Sequence, residues 1–180
     1  MEEQEPPIEQ VHHDIHHHAE TSGVRWISWV ALSTAVLAAL AAVASLHSGH
    51  DSNEATLEQI RASDNWAYYQ AKGVKAAVLS SKLDVLTAMG KEPPAEERAK
   101  LADYQREQDE ISREAKAEES ASRAHLARHV AFSRSVTFFQ VAIAVAAISV
   151  LTRRQVFWFV GLAFGLGGIA FMTRALLMTV

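Results

Sequence analysis

The chain has 180 residues, a formal net charge of −4 and no cysteine, and 49% of its residues are hydrophobic. The absence of cysteine excludes disulfides, thiolate metal sites and cysteine nucleophiles. Acidic and basic residues are nearly balanced between 47 and 134, so the composition predicts no nucleic-acid-binding surface. The hydrophobic residues are concentrated in three uncharged blocks, whereas a globular core would draw on residues spread along the whole chain.

Residues 1–25 precede the first block and form an acidic tail with too little apolar content to fold alone, which predicts a mobile segment. The tail carries five histidines: His12, His13, His16, His17 and His18. The pairs His12/His16 and His13/His17 are spaced so that two imidazoles share one helix face, as ligands of Zn²⁺, Ni²⁺ or Cu²⁺ often do. A soluble histidine-rich tail with no dedicated ligand explains the pattern equally well.

The three uncharged blocks predict three transmembrane helices, because a hydrocarbon core of ~30 Å needs about 20 helical residues to cross. They cover residues 26–46, 135–151 and 155–173, and the last has room to extend to 180. Buried helices of a soluble protein are the alternative, but such helices normally keep a polar stripe. We therefore expect an all-α integral membrane protein with membrane lipid as one partner.

Between the first two blocks, residues 47–134 predict a long, antiparallel, coiled-coil-like helical hairpin outside the membrane. The Ser-Gly-His sequence at 48–50 is predicted to interrupt the first helix, and residues 51–54 to cap a new one. At 90–94 a glycine followed by two prolines predicts the turn between the arms, because glycine ends helices and proline starts them.

Two stripes run along the first arm of this hairpin, side by side on the same helix, and the members of the first recur at alternating steps of four and three. The seam that we expect between the arms consists of Ala62, Trp66, Tyr69, Gly73, Ala76, Ser80 and Leu83, opposite Leu101, Tyr104, Gln108, Ile111 and Ala115. The second set, here named the outer stripe, consists of Ile60, Ala67, Ala71, Val74, Val78, Val85 and Met89. Because one partner arm cannot cover both, the pattern predicts self-association. Chance small-residue content in an alanine-rich helix is the alternative.

Residues 62–72 read Ala-Ser-Asp-Asn-Trp-Ala-Tyr-Tyr-Gln-Ala-Lys, and this run resembles the bacterial family catalogued as domain of unknown function 4337. The histidine-rich acidic tail, residues 139–144 and residues 151–154 are similar to that family as well. The resemblance covers most of the chain in order. It implies a shared architecture in a bacterial inner membrane, and it supplies no catalytic residue.

Four further histidines lie near the predicted membrane boundaries. His47 and His50 leave the first span, and His125 and His129 approach the second, so an antiparallel hairpin would bring all four to one interface. Their spacing suits Zn²⁺ or Ni²⁺ ligation, with Asp51 as a ligand or as an outer-shell acceptor. Hydrated side chains near the headgroups, or pH-sensitive groups, are the alternative.

No nucleophile, base and oxyanion donor occur together in a catalytic pattern, so we predict no enzymatic activity. The favoured hypothesis is a homo-oligomer with a structural, scaffolding or partner-docking role, which includes an unidentified protein partner. The predicted interface consists of Ala62, Trp66, Tyr69, Gly73, Val74, Val78, Gly161 and Gly165. The alternative is a divalent-metal-binding or conducting oligomer that uses the interfacial histidines.

The orientation in the membrane follows from the short loop between the last two spans. Arg153 and Arg154 lie in that loop, and positive residues in short loops are usually retained in the cytoplasm. This places the N-terminal tail inside, with the hairpin and the C-terminus outside. The opposite orientation is favoured by basic residues before the second span: Arg113, Lys116, Arg123, Arg128 and Arg134.

Overall fold

The computed structural model describes residues 25–179, which contain three helices and no strand. Helix α1 is Arg25–Ala88, α2 is Ala95–Thr152 and α3 is Gln155–Leu176. Each helix contains a segment that is long and apolar enough to cross a membrane. The all-α prediction is therefore confirmed for this part of the chain, while the tail with its five histidines lies outside the described residues.

The break between α1 and α2 lies at the glycine and prolines that predicted it. Gly90 has φ 72°, in the left-handed region that favours glycine. The amide of Lys91 donates to the carbonyl of Leu86 at 2.9 Å, as in a glycine-terminated helix. Pro93 and Pro94 follow the turn, and α2 begins at the next residue, Ala95.

The predicted interruption at 48–50 is wrong, because α1 runs through this segment without a break. A glycine inside a helix costs only about 1 kcal/mol relative to alanine. Side-chain contacts on both sides of the glycine offset that cost: Ser48 Oγ lies 2.9 Å from Ser133 Oγ, and Asp51 pairs with Arg128. Asp51 is thus a buried residue of the helix interior and does not cap a new helix.

The chain forms two compact units. The first, here named the three-helix unit, comprises Met1–Ser52 and Leu126–Val180. The second, the hairpin unit, comprises Asn53–His125.

Glycines let α3 approach the other helices of the three-helix unit. A Cβ added at Gly161 would lie 2.9 Å from the carbonyl oxygen of Ala142, and one at Gly168 would lie 2.6 Å from the ring of Phe139. Phe139 is fully buried, so neither contact has space to relax. Ser135 Oγ donates to the carbonyl of Gly168 at 2.9 Å, which fixes α3 against α2 at this point.

The hairpin unit buries the seam that the spacing predicts. Ala62 and Ala115 are fully buried, and every other seam residue is buried or half-buried. Contacts at the two ends show that the arms are antiparallel: Ser122 Oγ donates to the carbonyl of Ala55 at 2.8 Å, and Lys82 forms an ion pair with Glu97. The alternating spacing therefore identified the faces on which the two arms meet.

We predict that Gly161→Ala destabilises the protein by about 1–3 kcal/mol, because the added methyl group meets backbone that cannot move aside. The matched control is Gly49→Ala, where nothing lies within 4 Å of the added Cβ and helix propensity improves by about 1 kcal/mol. Thermal unfolding in a mild detergent, followed by circular dichroism, measures both. Equal transition temperatures for the two variants would contradict the close approach of α3.

Candidate functional site

A buried ion pair joins α1 and α2 in the three-helix unit. Asp51 has no exposed surface, and Arg128 donates to both of its carboxylate oxygens, from Nε at 2.8 Å and from Nη2 at 2.6 Å. The hydrogen bond to Asp51 raises the pKa of Arg128, and burial of the guanidinium opposes this effect. Such bidentate pairs fix geometry as well as charge, so the contact sets how α1 and α2 align here.

A second polar contact lies one turn away on α1. His129 Nδ1 is 2.8 Å from the carbonyl oxygen of Ser48, and because a carbonyl only accepts, Nδ1 carries the proton. Ser48 Oγ also contacts Ser133 Oγ at 2.9 Å. The ring of His47 stacks on Phe132, with centroids 5.3 Å apart. In the neutral form of His129, Nε2 is then the free acceptor atom of an oriented imidazole.

The four histidines of the predicted metal site, His47, His50, His125 and His129, have different surroundings. His129 is oriented by Ser48, His47 packs on an aromatic ring, and His50 is exposed. His125 belongs to the hairpin unit. Within residues 25–179, no group of three or more histidine, aspartate or glutamate side chains is placed to hold a metal ion. Zn²⁺ or Ni²⁺ binding by the quartet stays a prediction.

A cationic cluster crosses the seam of the hairpin unit. Lys72 Nζ lies 5.4 Å from the ring centroid of Tyr68 and 5.3 Å from that of Tyr104, and it forms an ion pair with Glu107. The hydrogen bond to Glu107 raises the pKa of Lys72. Two aromatic faces and a carboxylate are the groups that bind ammonium ions, and here the chain's own lysine occupies them. The cluster holds the arms in register and offers no reactive group.

The outer stripe is exposed along its whole length. Val74 is 64% exposed, Val78 65%, Val85 58% and Met89 62%. The stripe positions from Ala67 to Met89 are themselves uncharged, and Lys75 and Lys82 border them. An apolar face of this kind on one long helix is typical of a surface that packs against another protein chain.

The outward positions of the second arm have a different character. They are occupied by exposed charged side chains: Arg106, Asp109, Arg113 and Lys116. This arm therefore has the composition of a solvated face. The exposed apolar stripe is therefore a feature of the first arm, and the second arm has no counterpart at the positions named here.

The residues of the predicted oligomer interface fall into two groups. Ala62, Trp66, Tyr69 and Gly73 lie in the seam of their own hairpin, and Trp66 Nε1 donates to Glu119 at 2.8 Å. Gly161 and Gly165 are buried against other helices of the three-helix unit. Val74 and Val78 are the members that remain exposed, and the predicted interface stays a prediction that depends on them.

The pairing of Asp51 with Arg128 was not predicted from the sequence. A signal was present, because steps of four and three continue back from Ala55 through Asp51 and Ser48 to Ala44, all of them buried. An acid on that face requires a buried cation opposite it.

We predict that replacing either residue of the ion pair destabilises the protein, and that the two substitutions differ in their effect on the free energy of unfolding. Arg128→Met leaves a fully buried carboxylate without its guanidinium and should cost about 3–5 kcal/mol. Asp51→Leu should cost less, because the Arg128 side chain is already 25% exposed and can turn toward water.

The double variant Asp51→Leu/Arg128→Met should recover most of the loss, since apolar residues of similar volume replace the pair. Chemical denaturation in detergent, analysed as a double-mutant cycle, measures the coupling. Additive losses would show that the pair does not align the helices.

Among known protein families, the model described as "Domain of unknown function (DUF4337)" matches residues 26–178 of the chain. No curated protein and no solved structure matches the chain.

Proposed function

The chain belongs to the DUF4337 family, and from its own surfaces we propose that it is a membrane-anchored scaffold that assembles with copies of itself. The spans hold each copy in a bacterial inner membrane, and the outer stripe joins neighbouring hairpins. A protein partner would dock on the resulting assembly. The observation that carries this proposal is the exposed row of apolar side chains between Ala67 and Val85.

Membrane anchoring is supported by composition and by the way the apolar surface is distributed. Each of the three helices has a span-length apolar segment, and Leu46, Leu151 and Leu166 are among the large side chains that face outward there. Lipid tails cover such side chains without cost, whereas water would not. The buried glycines of α3 belong to the same pattern, because close backbone approach is a common means of helix association in lipid.

Self-association is supported by what burial of the outer stripe would contribute. Five large side chains of the outer stripe are more than half exposed: Ile60, Val74, Val78, Val85 and Met89. Full burial of such a side chain contributes about 1.5–3 kcal/mol, so a helix packed along the stripe gains several kcal/mol. Ala67 and Ala71 let a second backbone come close at one end of it.

The orientation with the Arg153–Arg154 loop in the cytoplasm is supported by the backbone of that loop. Arg153 has φ 52°, a left-handed conformation where glycine is usual and where other residues cost about 1 kcal/mol or more. An arginine that occupies a glycine position at this cost is consistent with a use for its charge, and retention on the cytoplasmic side is such a use. The hairpin would then face the opposite side.

We predict that Lys91→Cys, at the hairpin turn of this cysteine-free chain, reacts with a membrane-impermeant maleimide on intact cells. The matched control is Arg154→Cys, in the short loop, which should react only after the inner membrane is opened. The reverse pattern would place the hairpin in the cytoplasm and overturn the orientation.

We predict that Val74→Glu/Val78→Glu weakens the oligomer by at least roughly tenfold, because burying the new carboxylates costs more than 1.4 kcal/mol. The matched control is Ala102→Glu/Ala117→Glu, which places the same charges at exposed positions of the second arm. Detergent-corrected light scattering gives the mass of each variant, and helicity by circular dichroism checks the fold. An unchanged mass for the Val74/Val78 variant would contradict self-association through the outer stripe.

A further inference from the structure

The flanks of the outer stripe carry information about how a second copy would lie on it. One flank is formed by Tyr68, Lys75 and Lys82, and the other by Gln70, Ala77 and Asp84. All six side chains are exposed. Lys82 nevertheless forms an ion pair with Glu97 of the second arm, and the ring of Tyr68 packs on Lys72. We name the first set the lysine flank and the second the opposite flank.

An antiparallel pair of stripes would bring like flanks together. In that arrangement the lysine flank of one copy lies beside the lysine flank of the other, as the equivalent flanking positions do in antiparallel coiled coils. The Lys75 ammonium groups of both copies would then lie on one side of the contact, beside Lys82, whose charge is partly offset by Glu97. The first arm supplies no acid on this flank to pair with Lys75, because Tyr68 is its other member.

A parallel, in-register pair brings unlike flanks together. Each residue of the opposite flank then faces a lysine-flank position of the second helix about one turn further on. Lys75 of one copy faces Gln70 of the other, and Lys82 faces Ala77. These contacts contain no like charges, and Lys82 keeps its ion pair with Glu97.

Membrane insertion favours the same arrangement. The first arm and the first span-length segment belong to one uninterrupted helix, α1. Copies inserted into one membrane in the same orientation therefore present first arms that run in the same direction. The charges on the flanks and the direction of the helix thus both favour the first arm of a second copy, running parallel, as the partner of the outer stripe.

We propose that the outer stripe is a parallel, in-register contact between the first arms of two copies of this chain, with Val74 and Val78 of one copy against Val74 and Val78 of the other. The inference rests on the proposed self-assembly and adds its direction and register.

Disulfide crosslinking in proteoliposomes tests the register, because the chain has no cysteine of its own. Single cysteines are introduced in place of Ala71, Val74, Val78 and Val85. In a parallel, in-register contact each position faces its own copy within disulfide reach, so all four variants form covalent dimers. Cysteines at Ala102 and Ala117, on the outward side of the second arm, serve as controls and should not crosslink.

The crosslinking pattern distinguishes a wrong register from a failure of self-assembly. Crosslinking at one stripe position alone indicates an antiparallel contact and overturns the parallel register. An oligomer by light scattering with no stripe crosslinks also overturns it, while self-assembly stands. A monomer in both detergent and liposomes removes the self-assembly itself.

Charge provides an independent test on the same surface. Gln70→Glu/Ala77→Glu places acids opposite Lys75 and Lys82 of the second copy in the parallel arrangement, and should tighten assembly roughly tenfold. Adding Lys75→Gln and Lys82→Gln to that variant should remove the gain. In an antiparallel contact the new acids face one another, so weaker assembly of the double-glutamate variant would overturn the parallel register.

Discussion

α1 and α2 approach each other through alanine and serine side chains, and this close approach constrains much of the structure. Buried alanines occur along both helices, in the three-helix unit and in the hairpin unit: Ala31, Ala44, Ala55, Ala62, Ala76, Ala115, Ala131, Ala142 and Ala146. An alanine buries little apolar area, so such a seam is held together weakly per residue. The hairpin seam also buries Leu83 and Ile111, while the large apolar side chains of the outer stripe lie outside it.

A seam of small residues also needs other groups to fix its register, since alanines fit one another at several offsets. Polar side chains supply this in each unit. In the three-helix unit Asp51 pairs with Arg128, and in the hairpin unit Trp66 Nε1 donates to Glu119. A slip of one turn would break both contacts, and it would leave the fully buried Asp51 carboxylate without its guanidinium, at a cost of about 3–5 kcal/mol. The polar contacts therefore specify an alignment that apolar burial leaves open.

The helical fold and the turn could be predicted because their signals are local. Residues spaced by three and four mark a helix face, and the Gly-Pro-Pro segment at 90–94 marks a helix end. The continuity of α1 could not be predicted in this way, since the contact that holds Asp51 in the helix comes from a residue 77 positions away. Periodicity also identifies an apolar face without showing what covers it. Trp66 and Val74 both follow the pattern, yet the chain covers the first and leaves the second exposed.

The separation of Asp51 and Arg128 along the chain has a consequence for biosynthesis. At about 5–20 residues per second, a ribosome would complete Arg128 roughly 4–15 s after Asp51. During that interval the Asp51 carboxylate has no guanidinium from which to accept hydrogen bonds. Burying the carboxylate alone would be costly, so it stays hydrated. α1 can form its hydrogen bonds as it emerges, but it cannot settle against α2 around this position. The nascent chain therefore waits in a state with one finished helix and an unburied acid until the second arm has been made.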